Sequence, residues 1–178
     1  MTFPTFASGD VLLASDMNAV GLWLVKTQTV GSAVSSVTVT GAFSSTYDNY
    51  LITLTGGSFS TTSVWGQFQF SSAHTTGYYG SSSFVDTAGA VTNQGTSNLG
   101  RFLVTRSSNT VTGGASWLMH VSNPATAVRK NVWGVSSGGY LVTHGGVYDG
   151  TSTFTDFVLA PTSGTITGGT IRVYGYRN

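Results

Sequence analysis

The chain has 178 residues, of which only 7% are charged, with 7 Lys and Arg against 6 Asp and no Glu or Cys. Ordinary soluble domains are about one quarter charged, so this composition excludes most carboxylate and all thiol chemistry. The formal net charge of +1 comes without a cluster of cations, so we expect no nucleic-acid partner. Hydrophobic residues at 40% are enough for one sizeable core.

Residues 1–26 differ from the rest and are predicted to form an N-terminal arm. Ser15 is a suitable N-cap and is followed by apolar residues at helical spacing, which predicts one short helix near residues 15–24. Two interpretations stay open: the helix closes one end of a β-core, or the arm docks onto a neighbouring subunit. The apolar residues predicted for docking are Phe3, Phe6, Val11, Leu12, Met17 and Leu24.

Residues 27–178 are predicted to form a single all-β domain. Apolar and polar residues alternate with period two in runs such as residues 50–54 and 115–121, which is typical of half-buried strands. About nine short strands separated by Gly, Ser, Thr and Asn predict a β-sandwich of jelly-roll type. Residues 71–100 lack the alternation, and we expect this stretch to be rich in loops.

A weak internal repeat supports a sandwich. Residues 45–52 and 152–159 each contain a small polar turn, an aromatic residue, a second aromatic residue three positions later, and then a strand. We interpret them as two equivalent corners of one sandwich. The alternative is a chance similarity between β-segments of low complexity.

No constellation with usable spacing for catalysis is present, so we expect no catalytic residues, no metal and no cofactor. The six Asp are dispersed, and no hydrolase nucleophile motif or His pair with metal-ligand spacing occurs. His144-Gly145-Gly146 is interpreted as a tight turn. His120 is predicted to be a surface or interface histidine, whereas the four Trp, at positions 23, 65, 117 and 133, are predicted to be core residues.

Tyrosines are the remaining candidates for recognition. Tyr78 and Tyr79 lie between small hydroxyl residues in the predicted loop region, a composition that suits stacking on a sugar. The alternative is that the pair anchors the loop on the core. Tyr148 is a further candidate for ligand binding.

Both ends of the chain resemble bacteriophage proteins. Residues 6–18, FASGDVLLASDMN, are similar to the opening of tailed-bacteriophage virion proteins of the tail-fibre and capsid-decoration kind. Residues 163–177, SGTITGGTIRVYGYR, resemble the closing strand of small jelly-roll modules in phage structural proteins. The resemblance implies a non-enzymatic virion component, commonly trimeric, that assembles in the host cytoplasm and is displayed on the particle surface. No membrane insertion is expected, because no run approaches the ~18 apolar residues needed to span a bilayer.

Two functions fit these expectations. The first is a short tail fibre or spike-type host-attachment protein that binds a surface glycan. The second is a capsid decoration protein, a cement or head-fibre component bound to the head lattice. Host attachment predicts exposed aromatic residues at the end far from the N-terminal arm. In both cases the protein is expected to associate with itself, because few charges protect its strand edges, and the resemblance implies a homotrimer.

Overall fold

A computed structural model describes residues 8–9, 21–86, 88–107 and 114–176. This part of the chain is all β, with its strands in two antiparallel sheets. The strands are β1 (Leu22–Thr29), β2 (Val37–Val39), β3 (Asn49–Phe59), β4 (Trp65–Gln69), β5 (Tyr78–Val85), β6 (Val91–Leu99), β7 (Phe102–Arg106), β8 (Gly114–Ser122), β9 (Lys130–Ser137), β10 (Leu141–Tyr148), β11 (Phe157–Pro161), β12 (Ile166–Thr167) and β13 (Thr170–Tyr176).

The two sheets differ in width. The wide sheet has the order β1-β13-β3-β8-β9-β10-β5-β6, with the short β12 also pairing with β3. The narrow sheet has the order β2-β11-β4-β7. Because consecutive strands often change sheet, the chain repeatedly crosses from one sheet to the other.

The main core lies between the sheets, where their apolar faces meet. In β3 and β8 every second side chain is buried, among them Ile52 and Met119, as the period-two pattern predicts. The narrow sheet contributes rings such as Phe68 and Phe157, which lie 5.2 Å apart between centroids. Residues of both sheets belong to one buried cluster, so the architecture is sandwich-like.

Four strands, β9, β10, β5 and β6, continue the wide sheet beyond β8, and we call them the extension. The inner face of the extension contacts β7, the edge strand of the narrow sheet. A small second cluster of Trp65, Phe84, Tyr140 and Val142 forms here. The Arg106 guanidinium lies over the rings of Trp65 and Phe84, at 5.1 and 4.6 Å from their centroids.

The extension corrects the expectation of a loop-rich stretch over residues 71–100. This stretch contains β5 and β6, which form an antiparallel pair. Nearly every residue of β6 is exposed, because this outermost strand has little covering it on either face. A strand without a buried face needs no apolar alternation, and so period two gave no signal for it.

The predicted helix is wrong at its end, because Leu22–Leu24 belong to β1 and pair with β13. The boundary expected at residues 26 and 27 falls inside this strand. The helix positions 15–20 lie outside the described residues. Within the part of the chain that the structure describes, no helix has the length and apolarity needed to cross a membrane.

The two predicted corners lie side by side. The corner before β3 and the corner before β11 each lead into a strand, and the two strands belong to different sheets. The segment that precedes the first corner is hydrogen-bonded to the second corner: Gly41 N–H donates to Asp156 Oδ1 at 2.8 Å, and Phe43 N–H donates to the Thr155 carbonyl at 2.9 Å. These bonds connect the neighbourhoods of the two corners, and the equivalence of the corners stays a prediction.

Candidate functional site

Exposed apolar side chains concentrate on the outer face of the wide sheet. Strand pairing assigns to this face eight of the ten large apolar side chains that are exposed among the described residues. They are Leu22, Leu24, Tyr79, Val85, Val91, Trp133, Val135 and Leu141. Scattered apolar residues on a surface are ordinary, whereas a concentration on one face is typical of contact surfaces.

One row of residues crosses this face at its centre. Leu51 of β3 pairs with His120 of β8, and His120 pairs with Trp133 of β9. Trp133 in turn pairs with Gly145 of β10, and Gly145 with Ser81 of β5. Because paired residues of adjacent strands point to the same side, their side chains share the outer face.

Three aromatic rings of this face form a stack, which we call the aromatic site. The His120 imidazole lies on the Trp133 indole with 4.0 Å between centroids and 9° between ring planes. Tyr176 of β13 lies on the other side of His120, at 5.9 Å and 24°. Its hydroxyl is hydrogen-bonded to His120 Nδ1 at 3.1 Å, which fixes the order Tyr176, His120, Trp133.

Partial burial keeps the stack uncharged. Desolvation lowers the pKa of His120 below its usual value and raises the pKa of Tyr176 above its usual value. The imidazole and the phenol are therefore both neutral near pH 7. A neutral stack presents π-faces and hydrogen-bonding groups without a net charge.

The aromatic site borders an open depression of about 450 Å³, lined by the three rings together with Asn49 and Ser122. The Trp133 indole is 56% exposed, although one of its faces is covered by His120. On its other side the neighbouring residue is Gly145, which has no side chain. The second face of the indole is therefore open.

The predicted ligand residue Tyr78 is fully buried. Its hydroxyl accepts a hydrogen bond from Phe70 N–H at 3.0 Å, and burial raises the pKa of the phenol. The ring lies among Phe102, Tyr148 and Phe70 in the core. Tyr78 thus fits the alternative interpretation, in which it anchors the segment, and it presents no ring face to a ligand.

Tyr148 is also a core residue, with 5% exposure, because it lies on the inner face of β10. It packs on Phe154 and Tyr78, and this burial does not fit the predicted role in ligand binding. Tyr79 is 37% exposed on the outer face, opposite Val147. Of the three predicted tyrosines, Tyr79 alone is accessible to a ligand.

Of the predicted docking residues, Phe3, Phe6, Val11, Leu12 and Met17 lie outside the described residues. Leu24 is 56% exposed on the outer face of β1, opposite Tyr174. It is therefore available for a contact, as the docking interpretation requires.

Sequence reasoning missed Trp133, which was expected in the core. In β9 it is Val132, Gly134 and Ser136 that face inward, so the larger Trp133 and Val135 face outward. Both faces of this strand mix apolar and polar residues, and the alternation does not identify the buried one. The placement of His120 on the outer face agrees with its prediction as a surface or interface histidine.

His144 and its two glycines form no turn, because they lie inside β10. The imidazole is buried, and neither ring nitrogen has a hydrogen-bond partner. Burial lowers the pKa of His144 to about 4. Within the described ranges, no group of three or more His and Asp side chains is arranged to hold a metal ion.

Comparison with protein-family models, with curated proteins and with solved structures finds no match for this chain.

Proposed function

We propose that this protein is a non-enzymatic jelly-roll component displayed on a phage particle, where it attaches to the host surface. The strand order supports the jelly roll. Strands β1, β13, β3 and β8 face β2, β11, β4 and β7. Along the chain these eight strands change sheet at every step except from β4 to β7, which are neighbours in the narrow sheet. The β5–β6 and β9–β10 pairs are then insertions that widen one sheet of two interlocked Greek keys.

The phage assignment is supported by the sequence resemblance at the two ends of the chain. The closing segment that carries this resemblance includes β13, which lies between β1 and β3 in the jelly-roll order. The absence of Glu and the dispersal of Asp along the chain support a role in binding without catalysis.

The observation that carries the attachment function is the outer face of the wide sheet. It holds eight exposed apolar residues and an aromatic stack beside an open depression. Aromatic residues next to small hydroxyl residues make adaptable contact surfaces. A surface of this kind, repeated in several copies on a particle, attaches firmly even when each contact is weak.

A second candidate function, capsid decoration, is favoured by the position of the aromatic site. Tyr176 pairs with Leu22, the first residue of β1, so the stack lies towards the end of the sheet from which the N-terminal arm departs. Host attachment predicts aromatic residues far from the arm. If the arm docks onto the head, the outer face lies close to neighbouring capsid subunits.

Self-association is supported by one sheet edge. The outermost strand β6 has nine residues, VTNQGTSNL, and none of them is charged. The other edges are blunted in the ways that discourage pairing: β2 has three residues, β7 has five and includes Arg106, and β1 is bulged next to Lys26. We propose that β6 is a contact between copies of the chain in the expected homotrimer.

Copy number and adsorption together test the function. Purified particles are analysed by quantitative mass spectrometry, and the isolated oligomer is tested for adsorption to host cells. Copies in the range of a tail structure, with adsorption by the oligomer, support host attachment. Hundreds of copies without adsorption support capsid decoration, and hydrolysis of a host glycan contradicts both functions.

The docking role of the arm is tested by truncation. A chain lacking residues 1–20 keeps β1 whole and is expected to fold but not to join particles. Removing residues 1–25 also deletes the pairing of Leu22, Trp23 and Leu24 with β13, and therefore confounds docking with folding. Normal incorporation of the shorter truncation would contradict the docking role.

A further inference from the structure

We propose that the open face of the Trp133 indole binds the ring of an uncharged sugar, with Gly145 and Ser81 forming the floor beside it. This inference deepens the proposed attachment function and rests on it. It replaces the buried Tyr78 and Tyr148 with a site whose ring is accessible.

The orientation of Trp133 leaves one face of its indole free for a ligand. The indole is held on one side by His120, which is in turn hydrogen-bonded to Tyr176, so its orientation is fixed before any ligand arrives. A ring that is already ordered loses little conformational entropy on binding. Its other face is open because the cross-strand neighbour is Gly145.

The residues beside the open face of the indole leave space for a sugar ring. A β-carbon at Gly145 would meet no atom closer than 3.6 Å, so the space above this residue is free. The next residue in the row, Ser81, is exposed and small. Gly145 and Ser81 therefore leave a shallow recess beside the open face of the Trp133 indole.

The groups around the open face of the Trp133 indole suit the chemistry of a sugar. A pyranose has a face of C–H groups and a rim of hydroxyls, and it matches an aromatic face surrounded by hydrogen-bonding groups. The groups offered on the open side of the indole are the hydroxyls of Ser81 and Thr143.

The absence of charged residues from the lining of the site favours an uncharged sugar. The residues that line the depression and the floor include no Asp, Lys or Arg. At the end of this region Arg129 and Asp149 form an ion pair with each other. An acidic sugar would therefore find no unpaired cation among the lining residues, and an uncharged sugar fits better.

The probes are the methyl glycosides of glucose, galactose, mannose and N-acetylglucosamine, with glucuronic acid and sialyllactose as anionic counterparts. Binding is followed by the NMR signal of the Trp133 indole N–H, assigned with a Trp133→Phe variant. Saturation transfer from protein to sugar C–H protons identifies the stacked face. We expect at least one uncharged glycoside to shift the indole signal.

Two variants remove the site in different ways. Trp133→Ala removes the indole ring, and Gly145→Val fills the recess but keeps the indole ring. Each is expected to weaken binding at least tenfold. The matched control is Ser137→Val, which adds a β-branched residue to the same face of β9, about 13 Å along the strand from Trp133. Circular dichroism and thermal unfolding confirm that all three variants fold.

Unchanged binding by both site variants would overturn the proposal, as would binding of the anionic sugars alone or of no sugar. Host adsorption that is insensitive to Trp133→Ala, without a sugar-induced shift, rejects the sugar site and leaves the attachment function. Sugar binding by a protein that is not part of phage particles rejects the attachment function and leaves the site.

Discussion

The sandwich core and the extension share one continuous sheet but are built from different residues. On the inner face of the core strands, β3 and β8 present Tyr50, Ile52, Trp117 and Met119. On the same face of the extension, polar side chains and glycines replace many of the apolar residues; these are Gly80, Ser82, Lys130, Gly134, Ser136, His144 and Gly146.

The difference follows from what covers each region. The whole narrow sheet covers the core, whereas β7 is the strand of the narrow sheet that contacts β5, β6 and β10. This strand comes very close: a β-carbon at Gly146 would lie 2.8 Å from the Phe102 ring. Gly146 leaves room for Phe102 of β7, whereas large apolar side chains are favoured only where a second layer covers the sheet.

The largest expected effect on stability comes from truncating a buried aromatic side chain of the core. Phe70 is fully buried and stacks on Phe154 at 4.9 Å between centroids, so Phe70→Ala should lower the free energy of unfolding by about 3–5 kcal/mol. Phe84→Ala removes a ring of the extension instead. We expect it to speed hydrogen exchange in β5 and β6 more than in β3 and β8.

Chemical denaturation and hydrogen exchange measure these two effects. Equal acceleration of exchange in all strands by Phe84→Ala would contradict the division into core and extension.

Acid should destabilise the extension through His144. Its pKa is about 4 in the folded protein, below the ordinary value of about 6.5, so the unfolded chain binds more protons between these two values. Stability is therefore complete above about pH 6.5, falls as the pH is lowered, and has lost about 3 kcal/mol at about pH 4.

The check is urea denaturation across this pH range. Because neither nitrogen of His144 has a partner, His144→Leu should remove most of the pH dependence without a large loss of stability at pH 7. The comparison variant His120→Gln alters a half-buried ring whose pKa is also lowered by burial, and it should remove a smaller part. An unchanged pH slope in His144→Leu would show that other groups cause it.

Two glycines of the extension differ in the space that surrounds them. A β-carbon at Gly134 would lie 2.1 Å from the Leu118 carbonyl oxygen and 2.9 Å from His144 Nε2, whereas one at Gly145 meets only ordinary contacts. Gly134→Ala should therefore cost about 1–3 kcal/mol of unfolding free energy. Gly145→Ala should change it by less than about 0.5 kcal/mol. Similar melting temperatures for the two variants would contradict this packing account.

These residues also show where sequence reasoning succeeds. Strands covered on one face by a full sheet, such as β3 and β8, are predicted with the correct buried face. The glycines of His144-Gly145-Gly146 predict a turn, although Gly146 lies inside β10 and a β-carbon there would lie 2.4 Å from the Tyr79 carbonyl oxygen and 2.8 Å from the Phe102 ring. These atoms belong to β5 and β7, which are both more than 40 residues away in sequence, so the local sequence pattern does not reveal the need for glycine.

The candidate site was partly predictable for the same reason. Exposed Tyr79 and outward-facing His120 follow from composition and alternation. Trp133 was assigned to the core because large aromatic residues are usually buried. Its exposure depends on Gly134 facing inward under the Leu118 carbonyl, a contact between strands that the sequence of β9 does not reveal.

The smallest effect on folding is expected from substitutions in β6, at the edge of the extension. Asn93 and Gln94 of β6 are exposed and lie on opposite faces of the strand, so replacing both with Lys adds charge along the edge without disturbing a core. The unfolding free energy should change by less than about 0.5 kcal/mol. Self-association should weaken, because charged edge residues oppose pairing between strands of different copies.

The matched control places the same two charges on interior strands, as Ser137→Lys and Thr143→Lys, both exposed on the outer face. Light scattering over a range of concentrations compares the two double variants with the parent chain. Dissociation of the edge variant alone assigns the contact to β6. Dissociation of the control alone would move the contact to the outer face of the sheet, and an unchanged oligomer in both would exclude the β6 edge.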